Sequence, residues 1–453
     1  MSEIIVAGAG HGGLIAAIRL AGAGHSVTVL EKNSCGEVGR MQKDAFLSTD
    51  LENVGLPVPA DFRAKKNKLT MIGNGGAVLS LPANDEGNSL WVSRRRLCEY
   101  LLRFVAEAGV KIIYSCEVTG VCVLGNRVAG VKTNIGNFYA DLIIDACGVD
   151  SPVRKNLPPF LFVQNTFGRF DTVCSYRAYF KKRDDVPEPE TAYNIHLDRD
   201  GIEGFEWVIS EKNDADMLIL RFDKPTEAEI GGNIAELCEK YPFIDANSMI
   251  SGEKGKIPVR QPLAVFVADG YAAVGDSACM TVPVKGSGIG NSLAAGKMLA
   301  DAVIKDKSGF FTAQALWEYE REYFKRIGFD SCRLALVKNA LPYIGKNDVE
   351  AFLQRGVLNE SELELLSADA LSALISAKGI AALKEKLRLF SEFPTLKSLA
   401  LDIARWFGRL AVIEPFLPDE YERDTVEKWA QRYNEFFESI KYTDPEPENG
   451  RNG

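Results

Sequence analysis

The sequence predicts an α/β protein: a Rossmann-like βαβ domain, an antiparallel-sheet domain inserted into it, and a mainly helical C-terminal region. Three observations predict it. The first 31 residues read as strand, glycine turn, helix, strand and acid. From about Phe160, short strand-like runs with interleaved aromatic residues take over. Residues 269–303 then return to a strand, a glycine loop and a helix.

The N-terminal unit begins with Ser2 to Ala7, an apolar run centred on Ile4, Ile5 and Val6. Gly8, Gly10 and Gly13 follow, then a helical run from Leu14 to Ala23 and a second strand from Ser26 to Leu30. Each glycine has a physical role in a dinucleotide fingerprint. Gly8 permits the tight turn, Gly10 lets a pyrophosphate approach the backbone, and Gly13 lets the helix pack on the strand. The helix N-terminus offers unpaired N–H groups to the phosphates. Glu31 lies about 20 residues on, where a carboxylate can accept both hydroxyls of an adenosine ribose. The bland alternative is a βαβ unit without a ligand.

Next comes a polar loop, KNSCGEVGRMQKD, in which Arg40 is a candidate phosphate or flavin contact or a solvated arginine. Lys68 to Pro82 reads as a hairpin with a glycine turn. In Trp91 to Val110, Ser93 is placed to cap a helix whose Leu97, Leu101 and Val105 share a face. Arg94, Arg95 and Arg96 fill its first turn, the wrong sign for the helix dipole. Arg94 is the candidate to face an anionic ligand, and Arg95 and Arg96 are expected to face water. Lys111 to Glu117 and Gly120 to Asn137 read as short strands, and Leu142 to Ile144 as a buried strand ending in Asp145.

Val173–Phe180, Ala192–Leu197, Phe205–Ile209 and Met217–Phe222 are the expected strands of the inserted sheet. Such a sheet can wall off an apolar pocket, with Tyr176, Tyr179, Tyr193, His196 and Trp207 as candidate lining or as core. The second anchor follows: Tyr271 to Val274, Gly275, Asp276, Pro283, then Gly286, Gly288 and Gly290, with a helix from Ile289. Asp276 at a strand end can take a ribityl or ribose hydroxyl. The loop N–H groups and the helix N-terminus point positive charge at their ligand. A reduced isoalloxazine is an anion at its N1–C2=O edge, and this second anchor suits it; a nicotinamide site would not need one. Lys32 and Val118 complete the candidate cofactor set with Ile289 and Pro283. From Phe310 to Tyr442 the chain reads as helical, with Trp317, Trp406 and Trp429 in its core. Leu396 to Leu417 is amphipathic with interspersed cations, so it either packs on the protein, the preferred reading, or lies on a membrane surface.

Composition excludes other classes. With 62 acids against 53 bases and a net charge of −9, nucleic acid is not the expected partner. Nine dispersed cysteines and three histidines form no metal-ligand pattern and fit a reducing cytoplasm, so no metal site and a cytoplasmic location are expected. There is no signal-peptide pattern and no apolar run long enough to span a bilayer.

GAGHGGLIAAIRLAGAGHSVTVLEK, DLIIDACGVDSPVR and VGDSACMTVPVKGSGIGNSLAAGKMLA are the segments that carry a resemblance. The chain resembles the geranylgeranyl reductase family of flavoproteins, within the group sharing the p-hydroxybenzoate hydroxylase fold. SRRRLCEYLL is similar to that family's arginine-led helix, with Arg94 as the arginine that lies by the FAD, and GFEWVIS resembles in part its YxWxFP segment. Cys279 stands where hydroxylases commonly place a histidine. The resemblance covers roughly residues 1–305. It implies FAD, and a reductase that transfers hydride from reduced flavin N5 to a carbon–carbon double bond of an apolar, prenyl-like substrate. Electrons would come from an external donor such as NAD(P)H or ferredoxin. Alternatives are a flavin monooxygenase of the aromatic hydroxylase type, with an aromatic substrate, and a non-catalytic prenyl-binding protein. No catalytic acid or base is identifiable. The expected division is a discontinuous FAD-binding domain (1–65, 90–158 and 258–305), a substrate domain (66–89 and 159–257), a helical region (306–442) and a disordered tail (443–453).

Overall fold

The computed structural model describes residues 1–64, 68–81, 88–164, 167–197, 204–343, 350, 353–354 and 394–440. The expected disordered tail lies outside them. The strand Glu3–Ala7 sits near the centre of a six-stranded sheet because it is apolar on both faces: Ile4, Ile5, Val6 and Ala7 are all buried. Ser26–Leu30 pairs with it in parallel on one side and Leu142–Asp145 on the other. Across the sheet the order is Val267–Ala268, Tyr271–Ala273, Leu142–Asp145, Glu3–Ala7, Ser26–Leu30 and Lys111–Ile113. Register brings Ala7, Leu30, Asp145 and Ala273 to one rim. In open parallel sheets that rim is where ligands sit.

Two helices start at this rim, His11–Gly22 and Ile289–Lys305. They cross where glycine faces glycine. A Cβ on Gly296 would overlap the Gly12 carbonyl oxygen, so the small residues of the second helix are what let the two anchors come together.

The second sheet has seven strands in the order Ile244–Pro258, Thr172–Lys182, Asp214–Arg221, Gly204–Ser210, Tyr193–Leu197, Leu69–Ile72 and Val78–Leu81. The early hairpin joins it through a parallel pairing of Leu69–Ile72 with Tyr193–Leu197. Strand alternation divides its side chains between two faces. One face packs on the helix Glu227–Lys240, started by a Thr226–Glu229 capping box, around Ala178, Phe180, Val208, Met217, Leu237 and Phe243. The other face carries Ser175, Arg177, Tyr179, Tyr193 and Trp207. It meets the ribbon Lys43–Leu47/Ser89–Ser93. Arg177 Nη1 donates to the Lys43 carbonyl, and the Lys43 N–H donates to the Tyr179 hydroxyl at 3.0 Å.

The C-terminal region is helical over Ala313–Tyr323, a π-turn at Phe324–Gly328, Phe329–Ala340, Pro394–Ile413 and Arg423–Glu438. Trp317 and Trp429 are fully buried, and each indole finds an acceptor, Pro418 at 2.9 Å and Ala264 at 3.2 Å. Trp406 packs at the margin of the same core.

Candidate cofactor site

Both helices at the rim begin on glycine, Gly10 and Gly288, with no side-chain cap and no acid in the first turn. A helix start without a side-chain cap leaves N–H groups to be satisfied by something else. Between the two starts lies a cleft lined by Ala9, Gly10, His11, Arg40, Arg94, Asp276, Gly288 and Ile289. Gly8, with φ of +85°, turns the chain into it as expected. Gly13 also behaves as expected, since a Cβ there would lie 2.8 Å from Val6 Cγ1. Gly10 has a second duty: a Cβ would also lie 2.8 Å from the Ala146 carbonyl oxygen. A valine at Gly10 therefore strains the protein as well as the ligand space.

Glu31 is buried at the end of its strand, and its two oxygens accept from the N–H groups of Ala9 (2.9 Å) and Asn33 (2.8 Å). Each oxygen keeps a second lone pair, so a diol remains a possible further donor. Arg94 pairs with Asp44 of the neighbouring ribbon, which holds the guanidinium charge firmly and answers the sign mismatch of the helix start. Arg96 faces water with Asp61 and Glu99. Arg95 does not: it is half-buried, with Nε enclosed and unpartnered, because the turn at Gly39 packs against its backbone.

Asp276 faces the cleft with no hydrogen-bond partner among the described residues, and burial raises its carboxyl above the usual range. His11 is pushed down to about 4 by burial and by Arg94, so it is neutral at physiological pH; its Nε2 is buried without a partner. Cys98, also in the lining, is pushed up to about 12 by burial and is an inert thiol. Lys32 is exposed, and Val118 is buried in the strand Val118–Leu124 rather than in the cleft lining. Gly275 lies in the cleft wall; Gly286, with φ of +66°, and Pro283 shape the loop that leads to Ile289. Cys279 is buried in the left-handed region, and burial pushes its thiol up to about 12.

Of the five candidate pocket residues, three, Tyr179, Tyr193 and Trp207, lie on the side of the large sheet that meets the ribbon. Tyr193 and Trp207 stack edge to face there at 5.7 Å. Tyr176 and His196 lie on the opposite face, a one-residue step in strand register. His196 is bonded to the Tyr241 hydroxyl (2.7 Å) and Lys240 Nζ (3.1 Å), and Tyr176 reaches Met249, so both belong to packing against the far helix. Sequence reasoning passed over His11, Asp44 and Ser292. Ser292 Oγ, 3.2 Å from the Gly12 N–H, bridges the two anchors. It also passed over Asp50, whose carboxylate lies 2.7 Å from where a Cβ of Gly290 would stand, beside the second helix start. These are single polar residues within a strand or helices, where periodicity marks the apolar positions and not these, and none of them stood out. No group of metal-ligating side chains occurs among the described residues.

Two uncapped helix starts, an adjacent buried acid and a second acid at a strand end are the fittings of a long, twice-anchored dinucleotide. Models of FAD dependent oxidoreductases match residues 3–149 and 86–302. The chain is an FAD-dependent oxidoreductase, and its cofactor is FAD.

It also resembles the geranylgeranyl reductases. It is 22% identical to the digeranylgeranylglycerophospholipid reductase of Sulfolobus acidocaldarius over 430 residues, 89% of this chain and 93% of that one. To the first such reductase of Methanococcoides burtonii it is 26% identical over 385 residues, covering 77% and 86%. In fold it is similar to a geranylgeranyl bacteriochlorophyll reductase-like protein from Thermoplasma acidophilum, with a TM-score of 0.68, 20% identity and coverage of 86% and 98%. A flavin-dependent brominase shares the fold less closely, with a TM-score of 0.58 and 16% identity, covering 87% of this chain and 99% of that one. No helix among the described residues is long and apolar enough to cross a membrane.

Proposed function

We propose that this chain reduces carbon–carbon double bonds in a prenyl-type lipid, drawing electrons from an external donor. The relatives named above supply the substrate class. The observation that carries the reading is one face of the large sheet. It is the sheet face that meets the ribbon Lys43–Leu47/Ser89–Ser93, on which Ile195, Leu197, Phe205, Trp207 and Leu220 are half-buried, apolar surface that the described residues cover only in part. When bound, FAD supplies hydride-transfer chemistry. In the proposed roles, Gly8, Gly10 and Gly13 admit the pyrophosphate and Glu31 accepts the ribose. Asp276 accepts a hydroxyl, and the uncapped start at Gly288 and Ile289 stabilises negative charge. Arg94 and Arg40 set the potential of the cleft, and Tyr193 and Trp207 exclude water from the substrate side. The domain division of the sequence analysis is retained as part of the proposal.

The test is anaerobic. Protein reduced with dithionite is mixed with geranylgeranyl diphosphate or a digeranylgeranyl phospholipid. Flavin reoxidation with a gain of hydrogen in the lipid is expected. Reoxidation that occurs only with oxygen, with oxygen entering an aromatic product, would assign the chain to the monooxygenases instead.

The same substrate class motivates contact with a lipid surface. On Pro394–Ile413 and the turn after it, Leu401, Val412 and Phe416 are exposed beside Arg405 and Arg409. Apolar residues flanked by cations suit an anionic bilayer interface. We expect co-sedimentation with phosphatidylglycerol vesicles, reduced severalfold by Val412→Asp with Phe416→Asp. Equal sedimentation of the variant would remove this surface from consideration.

A further inference from the structure

Two polar side chains beside Arg40 are buried without a partner. Gln42 is 6% exposed and Ser175 3% exposed, and neither Gln42 Nε2 nor Ser175 Oγ has a hydrogen bond. They come from segments far apart in the chain. Gln42 precedes the ribbon strand Lys43–Leu47, and Ser175 stands on the side of Thr172–Lys182 that meets the ribbon. They converge on Gly255, the cross-strand neighbour of Ser175. A Cβ at Gly255 would collide with Ser175 Oγ and lie 2.8 Å from Arg40 Nη1 and 3.5 Å from Gln42 Nε2. The absence of a side chain at Gly255 thus lets a hydroxyl, a guanidinium and an amide converge on one point, here called the notch. An unmet donor so enclosed is costly, and a native fold accepts it where a ligand or water meets it.

The notch has a fixed relation to the second anchor. Ile257 is two residues from Gly255 on the same strand and the same face, roughly 7 Å along it. It touches the glycine loop, since a Cβ on Gly286 would lie 3.7 Å from Ile257 Cγ2. Arg40 lines the cleft and donates to the Lys254 carbonyl at 3.2 Å, which ties the notch to the cleft wall. A planar ring with carbonyl oxygens on two edges spans such a distance. With one edge at the loop N–H groups, the other reaches the donors of the notch.

We propose that Gln42 Nε2 and Ser175 Oγ, with Arg40 beside them, are hydrogen-bond donors to the C4 carbonyl edge of the isoalloxazine, opposite the edge held by the glycine loop. The inference rests on the FAD reading. It assigns the donors a positioning and tuning role: they hold the ring's orientation, and they favour electron density at that oxygen. Water in the notch would satisfy the same donors and is the competing occupant.

The test uses holoprotein and three variants. Gln42→Met removes the amide at nearly constant length, Ser175→Ala removes the hydroxyl, and Gly255→Ala fills the notch while leaving both donors in the chain. FAD content, visible absorption and the two-electron reduction potential are measured in each. We expect wild-type FAD content, a displaced long-wavelength band, and a reduction equilibrium five- to tenfold less favourable, about 20–30 mV lower. Should either donor variant fail to fold, Gly255→Ala carries the test. Wild-type spectrum and potential in FAD-replete variants would overturn the proposal and assign the notch to water. A wild-type protein that binds no FAD would instead overturn the cofactor reading itself.

Discussion

Replacing Glu31 with alanine should raise the FAD dissociation constant ten- to hundredfold. Two effects add. The ribose hydroxyls lose a charged acceptor, worth about 1.5–3 kcal/mol, which is that range of affinity. The N–H groups of Ala9 and Asn33 lose their acceptors as well, and Ala9 sits in the turn that must meet the pyrophosphate. Glu31→Gln should fall between, because its amide oxygen can satisfy only one of the two N–H groups. Fluorescence titration of apoprotein with FAD measures the constant, and thermal unfolding of the apoprotein separates the backbone contribution. An unchanged constant in Glu31→Ala would place the ribose contact elsewhere.

The second large effect is on stability. Arg177 and Asp216 form a bidentate ion pair in which both side chains are almost wholly removed from water. Burial works against the Arg177 charge, and the Asp216 carboxylate more than reverses it. The guanidinium also lies over the Trp207 ring at 5.0 Å and holds the Lys43 carbonyl, so it ties the sheet to the ribbon. Asp216→Ala leaves that charge buried and alone and should cost about 3–5 kcal/mol. Arg177→Met with Asp216→Leu removes both charges and should recover most of the loss. Denaturant unfolding followed by tryptophan fluorescence reads both. A single-variant loss below about 1 kcal/mol would mean that water reaches the pair.

The nucleotide-binding half was legible because its signals are local. Gly8, Gly13 and Glu31 each have a close neighbour within one βαβ unit, Leu30, Val6 and Ala9 in turn. The hairpin at Lys68 to Pro82 was also legible, since its turn glycines and alternating residues lie side by side. For Tyr176 and His196 lining and core were both open, with core the preferred reading, and the structure gives core packing; an isolated strand shows alternation without showing which face meets which neighbour. Arg95, expected in water, is half-buried because the turn at Gly39 that packs against it comes from far away in the chain. The notch of Gln42 and Ser175 had no signal at all, since it exists only where three segments meet.

The order of pairing in the two sheets has a consequence for how the chain reaches this state during synthesis. The strand that opens the sequence is completed on one side by residues 142–145, and that strand in turn by residues 271–273. Leu69 to Ile72 must wait for Tyr193 to His196. Each of these strands therefore waits for a partner 100 or more residues further along, and pairing over such separations is slow. In that interval the nascent chain exposes apolar strands on both unfinished sheets. Its maturation is thus set by the arrival of late segments.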